Sequence, residues 1–448
     1  MQGLTNLPGR PLPQPPGCRV VIDVRPLQEP ERTPITAAYL ERLLDAYAAR
    51  PLAGESFVVL LRTGRDDPAD ALERRGLAVV GRRRLPPTAR LLRSGGLTVD
   101  SFMLRGAEVG TARDLDEAGA AGAIYHTAGG AVPLGSRLPV VATLLDLAPW
   151  ELPEVYARSA AARFGHRLRA RVLRDAARLI VTSRATGESA RRRIHILPER
   201  IVVVPLAADA VFRPDAADAQ RLAAIRARFE LPERYLVFAG RYDARKDLGT
   251  LFAALAGLRE EGRPRPSRRA AAAGQGGDVA AVDPWPPLVV LAGAAGADET
   301  DAAALGRAAE RHGVADLVRL TPRLSSAELA VLQAGARAFV FPCISEGTGL
   351  AALEALACGV PVVASKTGPL PEIVGTAGII VEPRDDGRLA QALRAVWSEG
   401  RIHEQLRRAA QARAGGPPRT WHDVALETRA VYAEAAVSAA KPGSSSPR

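Results

Sequence analysis

Residues 341–365 read FPCISEGTGLAALEALACGVPVVAS, and this stretch decides the fold. Its spacing predicts a buried strand, a glycine-bearing loop, a short helix and a second buried strand. The strand Ala338 to Pro342 delivers Glu346 to the loop. Gly347 and Gly349 then let backbone N–H groups approach a ligand closely. A helix is expected from near Gly349 to Gly359, a good residue for a left-handed helix end, with Pro361 just beyond. Its first turn opens toward the loop, so free N–H groups and the positive dipole end favour an anion such as a diphosphate. Glu354 lies about a turn and a half in, and helical side chains lean back toward the N-terminus. Two carboxylates, Glu346 and Glu354, therefore surround a diphosphate-shaped hole. Carboxylates accept hydrogen bonds from hydroxyls, so sugar or ribose hydroxyls are their natural partners.

The pattern Glu, seven residues, Glu, with Gly-x-Gly after the first acid and Leu-Glu-Ala at the second, resembles the retaining glycosyltransferases of family 4. The downstream run Pro369 to Gly375, then Ala377-Gly378 and Val381-Glu382-Pro383, resembles the family's next block. The family carries an aromatic residue where this chain has Thr348, proline where it has Ala351, and commonly serine at Cys343. The resemblance implies an α/β chain with the GT-B fold, two Rossmann-like domains facing across a cleft. It spans residues 19–435, specific in the second half and loose in the first.

A second anchor lies upstream. Tyr235 to Gly240 reads as a strand ending in glycine, Arg241 follows, and Lys246 stands where the helix Asp247 to Leu258 begins. In the family a basic pair at these positions holds the nucleotide diphosphate. A departing diphosphate develops negative charge, and fixed cations stabilise it without a metal. The chain has three lysines, Lys246, Lys366 and Lys441, against a great many arginines, so a lysine at this point carries information.

Composition bounds the rest. A chain of 448 residues has room for two or three domains, each with a core. No run of about 18 apolar residues is present, so no membrane span is expected. The opening 17 residues are Pro-rich without an apolar h-region, so no signal peptide is expected there. Cys18, Cys343 and Cys358 are odd in number and dispersed, which suits reduced thiols in a cytosol. No Cys/His cluster has metal spacing, so neither a catalytic metal nor another cofactor is expected. The net charge of +11 is concentrated in the first half, at Arg82-Arg83-Arg84, Arg90, Arg93 and the segment Arg158 to Arg200. Such charge suits an anionic membrane face, or it spreads over every surface of an Arg-rich protein. Nucleic acid is set aside as a partner, because aromatics make up only 4% of residues and no binding module is recognisable.

Apolar runs alternate with helical stretches, the pattern of parallel sheets. In the first half the expected strands are Arg19–Asp23, Phe57–Leu61, Ala78–Val80, Ala123–His126, Val140–Leu145, Leu179–Thr182 and Ile201–Pro205. In the second half they are Tyr235–Ala239, Leu288–Ala292, Leu317–Leu320, Ala338–Phe341, Pro361–Ala364 and Ile379–Val381. Ser325 with Glu328 predicts a capping box. The expected organisation is a disordered lead over 1–17, an acceptor domain over 18–207, and a nucleotide-sugar donor domain over 208–418. Residues 263–287 read as a disordered insertion, 419–440 as a helix packing back on the first domain, and 441–448 as a disordered tail.

The first domain departs from the family at three points. The loop Pro30 to Thr36 has no glycine, Leu145-Asp146 stands where members often carry His-Asp, and Ala207 replaces a common glycine. Asp146 and His126, each at a strand end, are the candidate cleft residues, although a lone histidine in such a place is commonly structural.

The resemblance implies a cytoplasmic enzyme, peripheral at the inner face of a membrane or free of it. It moves a sugar from a nucleotide sugar to a glycan or lipid-linked acceptor with retention of configuration. The catalytic candidates are Glu346, Arg241 and Lys246, and the donor-binding candidates are Gly240, Gly347, Thr348, Gly349, Leu350 and Glu354. Glu346 is expected on the sugar hydroxyls and Glu354 on the ribose. GDP-mannose is the first donor, because the opening and the segment Trp421 to Tyr432 look like mannosyltransferase members, and a UDP-sugar is the second. The rival readings are a GT-B nucleotide-sugar epimerase, a catalytically impaired nucleotide-sugar-binding protein, and a nucleic-acid binder.

Overall fold

The computed structural model describes residues 15–86, 101, 103–105, 123–129, 132–240, 242–262, 285–293, 299–398 and 400–440. Arg241, Arg90 and Arg93 lie outside the described residues. So do nearly all of the expected N-terminal lead, most of the 263–287 insertion, and the 441–448 tail. By contact the chain divides into two units, Met1–Pro205 with Trp421–Arg448, and Leu206–Thr420. The sequence alone put the first junction at 207/208 and the last return at 418/419.

Unit 1 holds a seven-stranded sheet in the order β3-β2-β1-β4-β5-β6-β7. Its strands are β1 Arg19–Asp23, β2 Ser56–Arg62, β3 Val79–Leu85, β4 Ala123–Ala128, β5 Val140–Leu144, β6 Arg178–Val181 and β7 Ile201–Val203. Unit 2 holds six strands in the order β10-β9-β8-β11-β12-β13. They are β8 Leu236–Ala239, β9 Val289–Ala292, β10 Val318–Leu320, β11 Ala338–Phe341, β12 Val362–Ser365 and β13 Gly378–Val381. Every pairing in both sheets is parallel. Each run expected as a strand overlaps an observed one. The reason is physical. A parallel strand covered by helices on both faces must be apolar along its whole length, so runs such as Phe57 to Leu61 and Ala338 to Phe341 are unbroken and fully buried. The edge strands β7, β10 and β13 are only partly buried, and the edge strand β3 is exposed along much of its length. Its Gly81 to Arg84 side is largely exposed, and edge charges discourage pairing with another chain.

Each sheet reverses its strand order once, between β1 and β4 in unit 1 and between β8 and β11 in unit 2. In open α/β sheets a ligand binds beyond the C-terminal ends of the strands at that reversal. In unit 2 the two loops that meet there follow Ala239 and Phe341. In unit 1 they follow Asp23 and Ala128. The first loop runs into α1 (Pro34–Ala49), and the second begins with Gly129, which has φ +61. A Cβ on Gly129 would collide with Thr36 Oγ1.

Trp421–Ala440 forms a helix that packs on unit 1. Arg429 grips Glu55 through two bonds of 2.8 and 2.6 Å. Tyr47 Oη donates to Tyr432 Oη at 3.1 Å, and Tyr432 Oη lies 2.8 Å from His126 Nδ1. His126 Nε2 continues the chain to Thr143 Oγ1 at 2.9 Å.

Candidate active site

Three segments build the site of unit 2. The first follows β8. Gly240 has φ +148, and an added Cβ there would lie 3.9 Å from Lys246 Cε. Asp243 accepts the Arg245 amide at 3.0 Å and closes a single 3-10 turn over Ala244–Lys246. It also holds the buried Arg245 guanidinium at 2.8 Å. Asp247 then sits in the left-handed region at φ +46 and starts the helix Leu248–Glu261, labelled α4, with α2 and α3 denoting Ala160–Asp175 and Arg184–Ile194 of unit 1. This turn leaves Lys246 4% exposed, with Nζ 4.2 Å from the centre of the Phe341 ring.

The second segment follows β11, which is fed by α5 (Ser326–Ala334) through the expected Ser325/Glu328 capping box. Ile344 N donates to Arg245 O at 2.8 Å, so the two loops are stitched by backbone. Glu346 is 7% exposed. Its Oε2 accepts from Lys246 Nζ at 2.5 Å. Its Oε1 accepts from Thr348 N at 3.1 Å, Thr348 Oγ1 at 3.2 Å and Gly349 N at 2.9 Å. Gly349, at φ +65, is the first residue before α6 (Leu350–Ala357), and Gly359, at φ +75, follows that helix's end. Glu354 is buried on α6, also at 7% exposure.

The third segment follows β12. Ser365 Oγ accepts from Cys343 N at 3.0 Å, and Thr367 Oγ1 lies 3.1 Å from Cys343 Sγ. Gly368 has φ +47 and backs directly onto the Glu346 carbonyl oxygen, where an added Cβ would collide with it. The Lys366 to Gly368 turn thus fixes the backbone that carries the acid.

The electrostatics follow from these contacts. Burial alone would raise the Glu346 carboxyl. The Lys246 charge and hydrogen bond, with the Gly349 and Thr348 amides, outweigh it and hold the group down at about 2. Burial, with Glu346 nearby, pushes the Cys343 thiol up to about 12, which favours its protonated form. Among the described residues no three His, Cys, Asp or Glu side chains come together in a way that could hold a metal.

The structure therefore brings Lys246, Glu346, Thr348 and Gly349 into one bonded cluster, with Gly240 beside it. Leu350 and Glu354 continue it along α6, and Gly347 lies within the loop. The anion-binding expectation needs one correction. Two of the amides expected to face a phosphate, those of Thr348 and Gly349, are occupied by the Glu346 carboxylate. The α6 first turn beyond them still has N–H groups without intrahelical acceptors. Asp243, Arg245, Thr367 and Gly368 were not singled out from sequence. An Asp two residues before Arg at a turn signals such a cap, and only the folded backbone reveals Gly368.

The unit 1 candidates divide. His126 is fully buried, and both ring nitrogens are engaged, by Tyr432 and Thr143. Burial lowers its pKa to about 3, so it is a neutral core histidine and not a ligand-contacting residue. Asp146 is half-buried and accepts the Ala148 amide at 2.8 Å, just before the short helix Ala148–Glu151. Leu145, in the place of the family histidine, is buried.

Two Rossmann-like parallel-sheet units in one chain, with a cation–carboxylate cluster at the order reversal of the second, define a GT-B type α/β protein. A family model described as "Glycosyl transferases group 1" matches residues 224–413. D-inositol 3-phosphate glycosyltransferase of Jonesia denitrificans is 31% identical over 321 residues, covering 69% of this chain and 68% of that protein. O-antigen chain mannosyltransferase B of Escherichia coli is 31% identical over 213 residues, 47% of this chain and 49% of that one. Among solved structures, HepE of Anabaena in complex with UDP and glucose superposes with a TM-score of 0.61 at 17% identity, covering 92% of this chain and 98% of that one. The chain belongs to the group 1 glycosyl transferases.

Proposed function

We propose that this protein is a retaining, metal-independent glycosyltransferase that moves mannose from GDP-mannose to a saccharide or lipid-linked hydroxyl, with a UDP-sugar as the second donor. The observation that carries the reading is the Lys246–Glu346 pair at the order reversal of the second sheet. An ammonium has three N–H donors, and Glu346 occupies one of them. The others are available to a diphosphate oxygen. As the bond from the anomeric carbon to the diphosphate breaks, charge gathers on the leaving oxygen, and Lys246 stabilises it, with Arg241 as the second cation. The acceptor oxygen bonds to the anomeric carbon on the same face, and its proton passes to the leaving phosphate. No protein nucleophile takes part. Glu346 orients the sugar hydroxyls, the residues 347–350 support the phosphate and sugar, and Glu354 holds the ribose.

The names of the relatives support the sugar, since one is a mannosyltransferase. The HepE complex supports a nucleotide donor of the UDP type. The placement is cytoplasmic, peripheral at an anionic membrane face. No described helix is long and apolar enough to cross a membrane. The test is a melting-point panel with GDP-mannose, UDP-glucose and ADP-glucose, since a ligand that binds the native state raises the melting point. It is followed by assay of nucleoside diphosphate release in excess EDTA. Release with a GDP-mannose shift supports the reading. An isomerised donor overturns it in favour of an epimerase, and a bound but unchanged donor in favour of a binding protein.

A further inference from the structure

Two arginine-rich surfaces of unit 1 look alike in the sequence and differ in the structure. On β3, Arg82 pairs with Asp70 at 2.7 Å and Glu73 at 2.9 Å, and Arg84 with Asp67 at 3.2 Å. That charge is answered within the fold. On α2, Arg163, Arg167, Arg171 and Arg174 are all exposed, and none forms an ion pair among the described residues. The Arg163 guanidinium reaches only the carbonyl oxygens of Ala157 and Arg158. Asp175 ends this face and pairs with none of the four.

Helical geometry puts these groups together. At about 100° per residue the four arginines and Phe164 fall within an arc of about 100°. Gly165, Arg169, Val172 and Leu173 occupy the opposite, buried side. Phe164 lies at one edge of this arc, next to Arg171 around the helix, and is 59% exposed. Like charges three and four residues apart on a helix repel one another. α3, packed beside α2, adds exposed Arg191 and Arg192, with Glu188 among them.

We propose that this face of α2 docks the protein on an anionic lipid bilayer. The guanidinium groups bind headgroup phosphates, for which their fork geometry is suited, and Phe164 enters the boundary between headgroups and acyl chains. Cationic side chains beside one large apolar side chain suit the headgroup level of an anionic bilayer. Single-stranded nucleic acid would call for a series of aromatic platforms, and α2 has one. The proposal deepens the membrane placement given above, but it rests on the chemistry of α2 and not on sugar transfer.

The test uses the full chain and vesicle flotation, with phosphatidylcholine alone and phosphatidylcholine mixed with phosphatidylglycerol. Two triple variants remove equal charge, R163Q/R167Q/R171Q on α2 and R82Q/R83Q/R84Q on β3, and circular dichroism checks that both fold. At about 1 kcal/mol per arginine near an anionic surface, the α2 triple is expected to lose on the order of 100-fold in affinity for the anionic vesicles. The β3 triple is expected to stay close to the unmodified chain. Phe164→Ser is expected to lose roughly 10-fold, the scale of one buried apolar side chain. Raising salt beyond physiological strength should release the protein. Equal losses from the two triples would make net charge the cause and overturn the proposal. So would equal binding to pure phosphatidylcholine, or tighter binding to an RNA oligonucleotide than to anionic vesicles. Nucleoside diphosphate release with a soluble acceptor is measured beside it. Loss of flotation with release intact breaks the docking face alone, and flotation without release breaks the transferase reading alone.

Discussion

Among the described residues, each unit has one buried ion pair between side chains far apart in the chain, and the two pairs are built differently. Arg429–Glu55 in unit 1 joins both carboxylate oxygens to one guanidinium, with the charges 2% and 3% exposed and Arg429 stacked over the Tyr47 ring. Lys246–Glu346 in unit 2 joins one oxygen to one ammonium, both side chains buried. The other Glu346 oxygen is held by the loop itself. A planar fork matched to a carboxylate is a closed contact. A compact ammonium with further N–H donors is an open one that a third group can join. The first pair fastens a helix, and in the second the ammonium keeps further donors, which the proposed function assigns to a ligand. Burial by itself does not distinguish a fastening from a site.

The largest effect should come from the closed pair. Arg429→Ala leaves Glu55 buried and uncompensated, at a cost of about 3–5 kcal/mol. The melting point of the whole chain should fall by roughly 10 °C. Replacing Glu55 and Arg429 together by leucine should cost less than Arg429→Ala alone. A melting point within about 2 °C of the parent for Arg429→Ala would erase the distinction between the two pairs.

Acid should test the open pair next. The Glu346 carboxyl is held at about 2 against an ordinary value of 4.5. A depressed carboxyl adds stability that is fully present above the unfolded value and is lost as pH falls toward the folded one. Its contribution of about 3 kcal/mol should be constant from pH 8 to 5 and disappear below. Melting of the parent and of Glu346→Gln across this range checks it. The variant should lack that part of the acid limb. Parallel acid limbs would count against the assignment.

Lys246→Ala should cut turnover on the order of 100-fold or more, about 2.7 kcal/mol of transition-state stabilisation, with Arg241→Ala lower in effect. Steady-state nucleoside diphosphate release reads this directly, and near-normal rates in both variants would refute the cationic role.

The smallest expected effects separate the two acids. Glu354→Gln should raise the donor KM by roughly ten-fold with little change in kcat, because contacts to a remote ribose are shared by ground and transition states. Glu346→Gln should lower kcat with a smaller change in KM, since the proposed function sets it nearer the breaking bond. The reverse pattern would place the donor the other way round.

The strands were legible because parallel, doubly covered strands leave unbroken apolar runs, and the Ser325/Glu328 cap because all its parts lie within four residues. Glu346 and Lys246 were each legible through the family pattern. Their mutual bond was not, because the two side chains are 100 residues apart and only the strand order brings them together. The same limit hid Gly368, whose role is contact with a backbone atom across the loop. His126 shows the opposite failure. A strand-end histidine reads as available to a ligand, and its partners Tyr432 and Thr143 become visible only in the fold. The arginines of β3 and α2 are alike as letters, and the carboxylates that neutralise one set come from a neighbouring helix and its preceding loop.

The Arg429–Glu55 bond also sets a clock. Its two ends are 374 positions apart in the chain. At ribosomal rates of about 5–20 residues per second, Glu55 waits roughly 20 to 75 s for its arginine. All of unit 2 is synthesised in that interval. The first unit to emerge is thus the last to be completed, and through that time its Tyr47 and Glu55 surface is open to chaperones and to other nascent chains.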